Sequence, residues 1–355
     1  MGTAFVAKRF DTLDLLRGVA ALAVATLHYA AITGSPPVFP HAYLAVDMFF
    51  ALSGFVIAHA YGSQLTDGAS VSRFMVRRLV RLYPLYLLGS LLGWFLILGE
   101  LSPERWLSGF GANLLFLPAL PLTGKMTAGL FPALWPAWSL FWELIANLLF
   151  AMLAPRLSTR VLGAVLALGL LVLVATGAGY GTLDAGARWS TFFGGAGRVL
   201  WSYFAGVAVY RLYQRCGSFW SPSAGLLAML LLAVLALPIS GWGYDVVIAA
   251  LLPLFVLFGA QIAAPSAIGR WLGHASYALY VLHVPILNVA MRFTPLSNTP
   301  QLILLLPCMG ITLCAAACVA RYFDDPVRGW LGRLVFSGPR RMLIPVIPLQ
   351  SFRRS

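Results

Sequence analysis

Charged residues and cysteines are scarce in this chain, and each scarcity excludes a class of protein. Only 10% of the 355 residues are charged, whereas soluble globular domains carry about a quarter, so an ordinary soluble enzyme is excluded. Acidic residues are the rarer sign, with 11 Asp and Glu against 24 Lys and Arg. The cysteines lack the spacing of a metal site and predict no disulfide framework. They are Cys216, Cys308, Cys314 and Cys318.

Hydrophobic residues instead make up 60% of the chain, and the mean hydropathy is +0.86. Stretches long enough to cross about 30 Å of hydrocarbon recur along the sequence, which predicts an all-α polytopic membrane protein. The shorter apolar stretch 106–120 contains Gly109, Gly111 and Pro118, and we expect a re-entrant or interfacial element there. Ten spans are predicted, at 15–33, 42–62, 82–98, 135–154, 161–177, 194–212, 224–240, 244–262, 275–293 and 301–320.

The basic residues favour one orientation, because cytoplasmic loops of membrane proteins carry an excess of Lys and Arg. With ten spans, 19 of the 24 basic residues fall on the side of the N-terminus. Both termini are therefore predicted to be cytoplasmic, with the chain in the plasma (inner) membrane. This topology explains the net charge of +13, so a nucleic-acid partner is not expected. The other five basic residues are Arg105, Lys125, Arg188, Arg198 and Arg292.

Two ionisable residues interrupt the first predicted span. Arg17 and His28 are eleven positions apart, close to three helical turns, so both lie on nearly the same stripe with roughly 16 Å of helix axis between them. Ionisable residues at membrane depth mark a functional path by default. An Arg near a helix end can also merely reach the membrane surface. The alternative interpretation of Arg17 is therefore an anchor paired with Asp14.

Polar residues also interrupt the second and fourth spans. Asp47 lies near the start of the second span and needs a partner if it is buried, so a structural ion pair is the alternative to a functional role. Ser53 follows it in a Ser-Gly pair, which is also typical of helix packing. In the fourth span, Ser139, Glu143 and Asn147 share a face because they are four positions apart. An intramembrane Glu with such neighbours indicates a functional stripe.

The ninth span places Tyr277, Tyr280 and His283 as successive i, i+3 neighbours. A histidine at this depth is either functional or a packed residue bonded to Tyr. Tryptophans also cluster near the predicted outer end of the fourth span, where they can stack on sugar rings or form an interfacial belt. They are Trp135, Trp138 and Trp142.

A basic stretch precedes the third span. Arg73, Arg77 and Arg81 are four positions apart and lie on one helical face, with Arg78 beside them. Such a face anchors the protein to anionic lipid headgroups. Because Arg makes bidentate contacts with phosphate, the functional alternative is a binding site for a phosphorylated cytoplasmic molecule.

Taken in order, these segments resemble the acyltransferase-3 family of integral-membrane O-acyltransferases, from about Phe10 to Arg328. Each motif alone is common, but their ordered occurrence across ten spans is specific. The motifs are Arg17 with His28, Val46-Asp47-Met48-Phe49-Phe50-Ala51-Leu52-Ser53-Gly54, Arg78-Leu79-Val80-Arg81, Trp138-Ser139-Leu140 with Glu143, Ser276-Tyr277 with Tyr280 and His283, and Tyr322-Phe323-Asp324-Asp325-Pro326-Val327-Arg328.

The resemblance implies transfer of an acyl group, commonly acetyl, from cytoplasmic acyl-CoA to a hydroxyl of an acceptor. The acceptor would be a cell-surface or lipid-linked carbohydrate or a hydrophobic natural product, and no metal is expected. Arg17, Arg78 and Arg81 would hold the coenzyme A phosphates. His28 would act as general base, oriented by Glu143 or Asp47. Expected substrate contacts are Ser53, Ser139, Trp138, Trp142, Tyr277, Tyr280 and His283.

One membrane domain, 1–330, is predicted to be followed by a basic cytoplasmic tail, 331–355, and the oligomeric state stays open.

The competing function is a transporter or flippase that uses the same polar stripe. We find no internal repeat with paired Gly/Pro-broken spans, which many secondary transporters display. An acyl-enzyme on Ser53 or Ser139 is not favoured, because neither has an evident adjacent base.

Overall fold

The computed structural model describes residues 9–121, 129–216, 220–262, 266–293 and 301–336. Within these ranges the chain is all-α, and its β-structure is limited to an isolated bridge between Gly129 and Arg188. The predicted fold class is confirmed. The helices are α1 (Asp11–Thr33), α2 (Ala45–Thr66), α3 (Val71–Leu96), α4 (Pro103–Leu114), α5 (Ala137–Leu153), α6 (Thr159–Tyr180), α7 (Phe192–Arg215), α8 (Ala224–Ala236), α9 (Trp242–Gln261), α10 (Ala267–Phe293), α11 (Gln301–Val319) and α12 (Asp325–Phe336).

Seven helical segments in the described ranges are long and apolar enough to cross a membrane. They include α1, α2, α3, α5, α6, α9 and the continuous α11–α12 segment. Helices α7, α8 and α10 cover the other three predicted spans, so the count of ten stays a prediction. Helix α8 has 13 residues and ends before the predicted segment 224–240 does, because Pro238 holds Leu237 in an extended conformation.

Helix α4 covers much of the predicted re-entrant element. Its 12 residues span only about 18 Å, which is less than the roughly 30 Å of a hydrocarbon core. Trp106 and Phe110 of this helix pack against Trp94 of α3. The helix is therefore too short to cross a membrane, while its position on the outer face stays a prediction.

Two polar regions of the sequence are helical in the structure. The polar stretch 63–81 consists mostly of the end of α2 and the start of α3, whose first turn is capped by the Ser70 hydroxyl accepting from the Arg73 N–H. Helix α11 continues through a π-turn at Ala320–Asp324 into α12. The last predicted span is thus part of a longer helical segment. The predicted tail 331–355 begins inside α12, and residues 337–355 lie outside the described ranges.

Two close helix contacts set the positions of the polar residues. A Cβ at Gly18 would lie 2.5 Å from the Leu272 Cβ, so α1 and α10 approach more closely than any larger residue would allow. A Cβ at Gly54 would lie 1.9 Å from the Tyr203 carbonyl oxygen, which makes the same argument for α2 and α7. The first contact brings the ionisable residues of α1 against α10. The second agrees with a packing role for the Ser-Gly pair.

Candidate functional site

His28 and His283 meet where α1 packs against α10. The His28 Nδ1 lies 2.6 Å from the His283 Nε2, and the two rings are only 9° from parallel. The His283 Nδ1 in turn lies 2.9 Å from the Leu279 carbonyl oxygen. His283 is 0% exposed, whereas His28 is only partly buried and touches the Trp135 ring edge-to-face at 5.9 Å. His28 is therefore the histidine of the pair that a substrate can contact.

Glu143 belongs to a different cluster. Its Oε1 accepts a hydrogen bond from the Ser53 hydroxyl at 2.6 Å and one from the Arg78 Nη2 at 2.7 Å. The Arg78–Glu143 ion pair is largely buried. The Nε of Arg78 is buried and has no hydrogen-bond partner within the described part of the chain. The expected contact between Glu143 and His28 is therefore replaced by contacts to Ser53 and Arg78.

Asp47 forms an ion pair with Arg198 in which both side chains are 0% exposed. The Asp47 Oδ2 lies 2.6 Å from the Arg198 Nη2, and the Ser202 hydroxyl donates to Oδ1 at 3.1 Å. Arg198 also donates to the carbonyl oxygens of Tyr43 and Ala185. The structural alternative for Asp47 is the one observed, since its carboxylate is occupied and does not orient His28.

Arg198 also corrects the charge count used for topology. It was assigned to the outer side with four other basic residues, but it lies inside α7 and faces Asp47. Its charge is neutralised within the protein, so it says nothing about membrane orientation. Four outer basic residues remain, of which Lys125 lies outside the described ranges. Arg17, Arg78 and Arg328 on the N-terminal side are paired with acidic residues as well, so the orientation of the chain stays a prediction.

Arg17 joins α1 to α10 near the N-terminal end of α1, whereas His28 lies towards its C-terminal end. Its Nη2 lies 2.9 Å from the Asp14 Oδ1 and donates to the Gly273 carbonyl oxygen at 2.6 Å. Its Nε donates to the Ser276 hydroxyl at 2.8 Å. Arg17 and His28 therefore both face α10, as their spacing predicts. The pair with Asp14 is also present, so Arg17 is anchored and still partly exposed.

Arg81 lies beside the π-turn that joins α11 to α12. Its Nη1 lies 3.6 Å from the Asp324 Oδ2, and its guanidinium is 5.1 Å from the centre of the Tyr277 ring. The Arg81 Nη1 and the Asp324 Oδ1 are both buried without a hydrogen-bond partner among the described residues. Arg328 contacts Asp324 at 2.9 Å, and the Tyr277 hydroxyl donates to the Leu82 carbonyl oxygen. This end of the site therefore carries unsatisfied hydrogen-bonding groups.

The remaining predicted substrate contacts are mostly interior. The Ser139 and Tyr280 hydroxyls lie 2.7 Å apart and are both buried. Trp138 and Trp142 are each 7% exposed, with Trp138 stacked on Arg198. Trp135, which is 41% exposed, is the accessible tryptophan of the three. Trp138 and Trp142, the two predicted as substrate contacts, are thus buried, and their role in substrate binding stays a prediction.

Sequence reasoning gave no role to Arg198 or to Asp324. Arg198 could have been noticed, because it lies within a predicted span and a buried Asp47 requires a cation. Asp324 stands in a motif that was recognised, but nothing in the sequence indicates that it turns towards Arg81. In the described part of the chain, no group of three His, Cys, Asp or Glu residues is placed to hold a metal ion.

A family model matches this chain over most of its length. The acyltransferase-3 family model, described as an acyltransferase domain, matches residues 10–321. The chain is 41% identical over 140 residues to "Protein 2 in picA locus" of Rhizobium radiobacter, a match that covers 35% of this chain and 72% of that relative. No solved structure matches the chain with significance. The resemblance found in the motifs is thereby confirmed.

Proposed function

The chain belongs to the acyltransferase-3 family, and we propose that it transfers an acyl group from cytoplasmic acyl-CoA to the hydroxyl of an acceptor. We propose His28 as the site of this transfer. Membership makes the chain a multi-pass membrane acyltransferase. One observation carries the proposal about the site. His28 is held through Nδ1, while its Nε2 has no protein partner within the described residues.

His28 acts as general base in this proposal. The acceptor hydroxyl gives its proton to the His28 Nε2 as its oxygen attacks the thioester carbonyl carbon. The carbon–sulfur bond then breaks, and the coenzyme A thiolate takes the proton back from Nε2. The products are an ester and free coenzyme A, and His28 ends in its starting state. A covalent intermediate is not needed, and the hydroxyls of Ser53 and Ser139 are both bonded to other groups.

The donor phosphates are assigned to Arg17 and Arg81, with Arg78 beside them. The Nη1 of Arg81 and the Nε of Arg78 support this assignment, because each is a donor without a hydrogen-bond partner among the described residues and phosphate oxygens accept from Arg. Arg17 is partly exposed and stands on the same face of α1 as His28. With about 16 Å of helix between Arg17 and His28, the pantetheine arm would run along α1 and deliver the thioester to the base.

The proposed acceptor is a carbohydrate, either lipid-linked or on the cell surface. Trp135 supports it, because an exposed indole next to the base offers a flat apolar surface to the C–H face of a sugar ring. A hydrophobic natural product would use the same surface. Acetyl is the acyl group to test first. Location in the inner membrane with both termini cytoplasmic belongs to the same proposal.

The test is a transfer assay with purified protein. Acetyl-CoA labelled in the acetyl group is incubated with the protein and an extract of glycolipids and surface polysaccharides, and labelled ester is measured beside free coenzyme A. We expect label in an alkali-labile ester that depends on His28. A transporter or flippase would leave the thioester intact while moving a substrate across vesicles, and that result would overturn the proposal.

A further inference from the structure

His28, His283 and the Leu279 carbonyl group form a single hydrogen-bonded chain. The Leu279 oxygen lies 2.9 Å from the His283 Nδ1, and the His283 Nε2 lies 2.6 Å from the His28 Nδ1. Both nitrogens of His283 and the Nδ1 of His28 therefore face a defined neighbour. We propose that His283 is a positioning residue that fixes the tautomer of His28, so that the His28 Nε2 carries the free lone pair. This inference rests on the proposed function of His28.

The direction of the chain follows from its carbonyl end. A carbonyl oxygen only accepts, so the His283 Nδ1 must carry the hydrogen. In a neutral imidazole the other nitrogen is then an acceptor, which makes the His283 Nε2 accept from the His28 Nδ1. Nδ1 of His28 is therefore the protonated nitrogen. Its Nε2 is left with a lone pair, which is the state that a general base requires.

The same hydrogen bond persists when His28 receives a proton. The protonated ring keeps its Nδ1–H on the His283 Nε2, so the ring does not reorient during the reaction. A carboxylate in that position would stabilise the imidazolium by charge, whereas a neutral imidazole stabilises it less. The proton on His28 would then pass readily to the thiolate that leaves. His283 thus replaces the carboxylate that the sequence led us to expect beside the base.

Burial separates this role from substrate binding. His283 is 0% exposed and sits beside the Tyr280 ring, at 6.2 Å between ring centres. A substrate therefore cannot contact His283 directly, whereas it can contact His28. The role of substrate contact that the sequence suggested for His283 is replaced by one that acts through the neighbouring ring.

Two substitutions at the same position provide the first test. His283→Gln keeps a side-chain oxygen that can accept from the His28 Nδ1, whereas His283→Leu keeps the bulk without an acceptor. We expect His283→Leu to lower kcat by about 10²-fold or more, the scale of a lost general base, with little change in the KM for acetyl-CoA. His283→Gln should recover at least about tenfold of that loss. Equal kcat in the two variants, with both monodisperse and binding coenzyme A, would overturn the positioning role.

The tautomer itself provides a second readout. In protein labelled with ¹⁵N-histidine, nitrogen chemical shifts report which ring nitrogen carries the hydrogen, and the signals of His28 are assigned by their loss in His28→Gln. We expect Nε2 to be unprotonated in the wild type and partly protonated in His283→Leu. A matched control is His41→Gln, which removes another buried histidine from its contacts with Tyr43 and Asp245 and should leave the His28 tautomer unchanged. A wild-type His28 with hydrogen on Nε2 would overturn the inference.

The two proposals fail in different ways. If the wild-type protein transfers acetyl and His28→Ala does so equally well, the assignment of the base is wrong. If His28→Ala is inactive while His283→Leu has wild-type turnover and tautomer, the base stands and the positioning role is wrong.

Discussion

Asp47 and Arg198 form a fully enclosed ion pair that joins α2 to α7, with 2.6 Å between Oδ2 and Nη2. Ser202 and two backbone carbonyl groups satisfy the remaining hydrogen-bonding capacity around it. The pair has no accessible surface for a substrate. Its contribution should therefore be to stability, and its removal should not act on the chemical step in protein that remains folded.

We expect removal of one partner to destabilise the fold strongly. Asp47→Asn leaves the buried Arg198 charge uncompensated, and Arg198→Met leaves the buried Asp47 charge uncompensated. Either loss costs about 3–5 kcal/mol. The double variant Asp47→Leu with Arg198→Met removes both charges and should recover a large part of this loss. Thermal unfolding in detergent, followed by size-exclusion chromatography, measures the effect. If Asp47→Asn were as stable as the wild type but had a reduced kcat, Asp47 would have a role in catalysis.

Removal of the base should abolish transfer without affecting the fold. His28→Ala deletes a partly exposed ring whose bonding partner is another side chain, so we expect normal insertion and normal binding of coenzyme A. Turnover should fall by about 10²- to 10⁴-fold. The assay is labelled acetyl transfer at saturating donor. Activity within about twofold of wild type would exclude His28 as the base, since the loss of a general base costs far more than that.

Arg81 and Asp324 lead to predictions of opposite sign. Arg81→Gln should raise the KM for acetyl-CoA more than it lowers kcat, because the proposed phosphate contact is remote from the reacting carbon. Asp324→Asn removes the carboxylate that competes for the same guanidinium. It should tighten coenzyme A binding by about 1 kcal/mol, a factor of about five.

Asp325→Asn is the matched control for this comparison, since Asp325 contacts His274 and Arg328 rather than Arg81. Binding of unlabelled coenzyme A by calorimetry measures all three variants. Weaker binding in Asp324→Asn would mean that Asp324 stabilises the site rather than competing for Arg81. Unchanged binding in Arg81→Gln would favour lipid anchoring of the basic stretch.

The register between Arg17 and His28 should matter as well as their presence. One Ala inserted between Val19 and Ala20 rotates one part of α1 by about 100° relative to the other. Arg17 can then keep its bonds to α10, or His28 can keep its bond to His283, but both cannot hold together. We expect this protein to be inactive even when correctly inserted. Near-normal transfer in the inserted protein would show that the two residues do not serve one extended donor.

The sequence predicts which residues share a helix face better than it predicts which side chains contact each other between helices. Helical spacing correctly placed Arg17 and His28 on one face, since that face is fixed by the geometry of a single helix. The partners of Glu143 are 65 and 90 positions away in sequence, and no local pattern indicates them. Arg198 was misassigned for the same reason, because the charge that neutralises it lies on another helix.

The junction between α11 and α12 was missed for a different reason. Asp324, Asp325 and Pro326 are typical of a helix end followed by a polar loop. The π-turn carries the helix through this segment, and Pro326 follows it as the second residue of α12. A π-turn cannot be recognised from composition alone, so the orientation of Asp324 towards Arg81 had to come from the structure.

The separation of 255 residues between His28 and His283 sets an order of events during synthesis. At about 5–20 residues per second, the first helix is made roughly 10–50 s before α10. For that time His28 and Arg17 lack the neighbours that α10 provides in the finished protein. Asp14, three positions before Arg17, is available as soon as α1 forms. Asp14 can therefore pair with Arg17 before α10 is synthesised. This pairing lowers the cost of keeping a charged residue in the first helix until α10 packs against it.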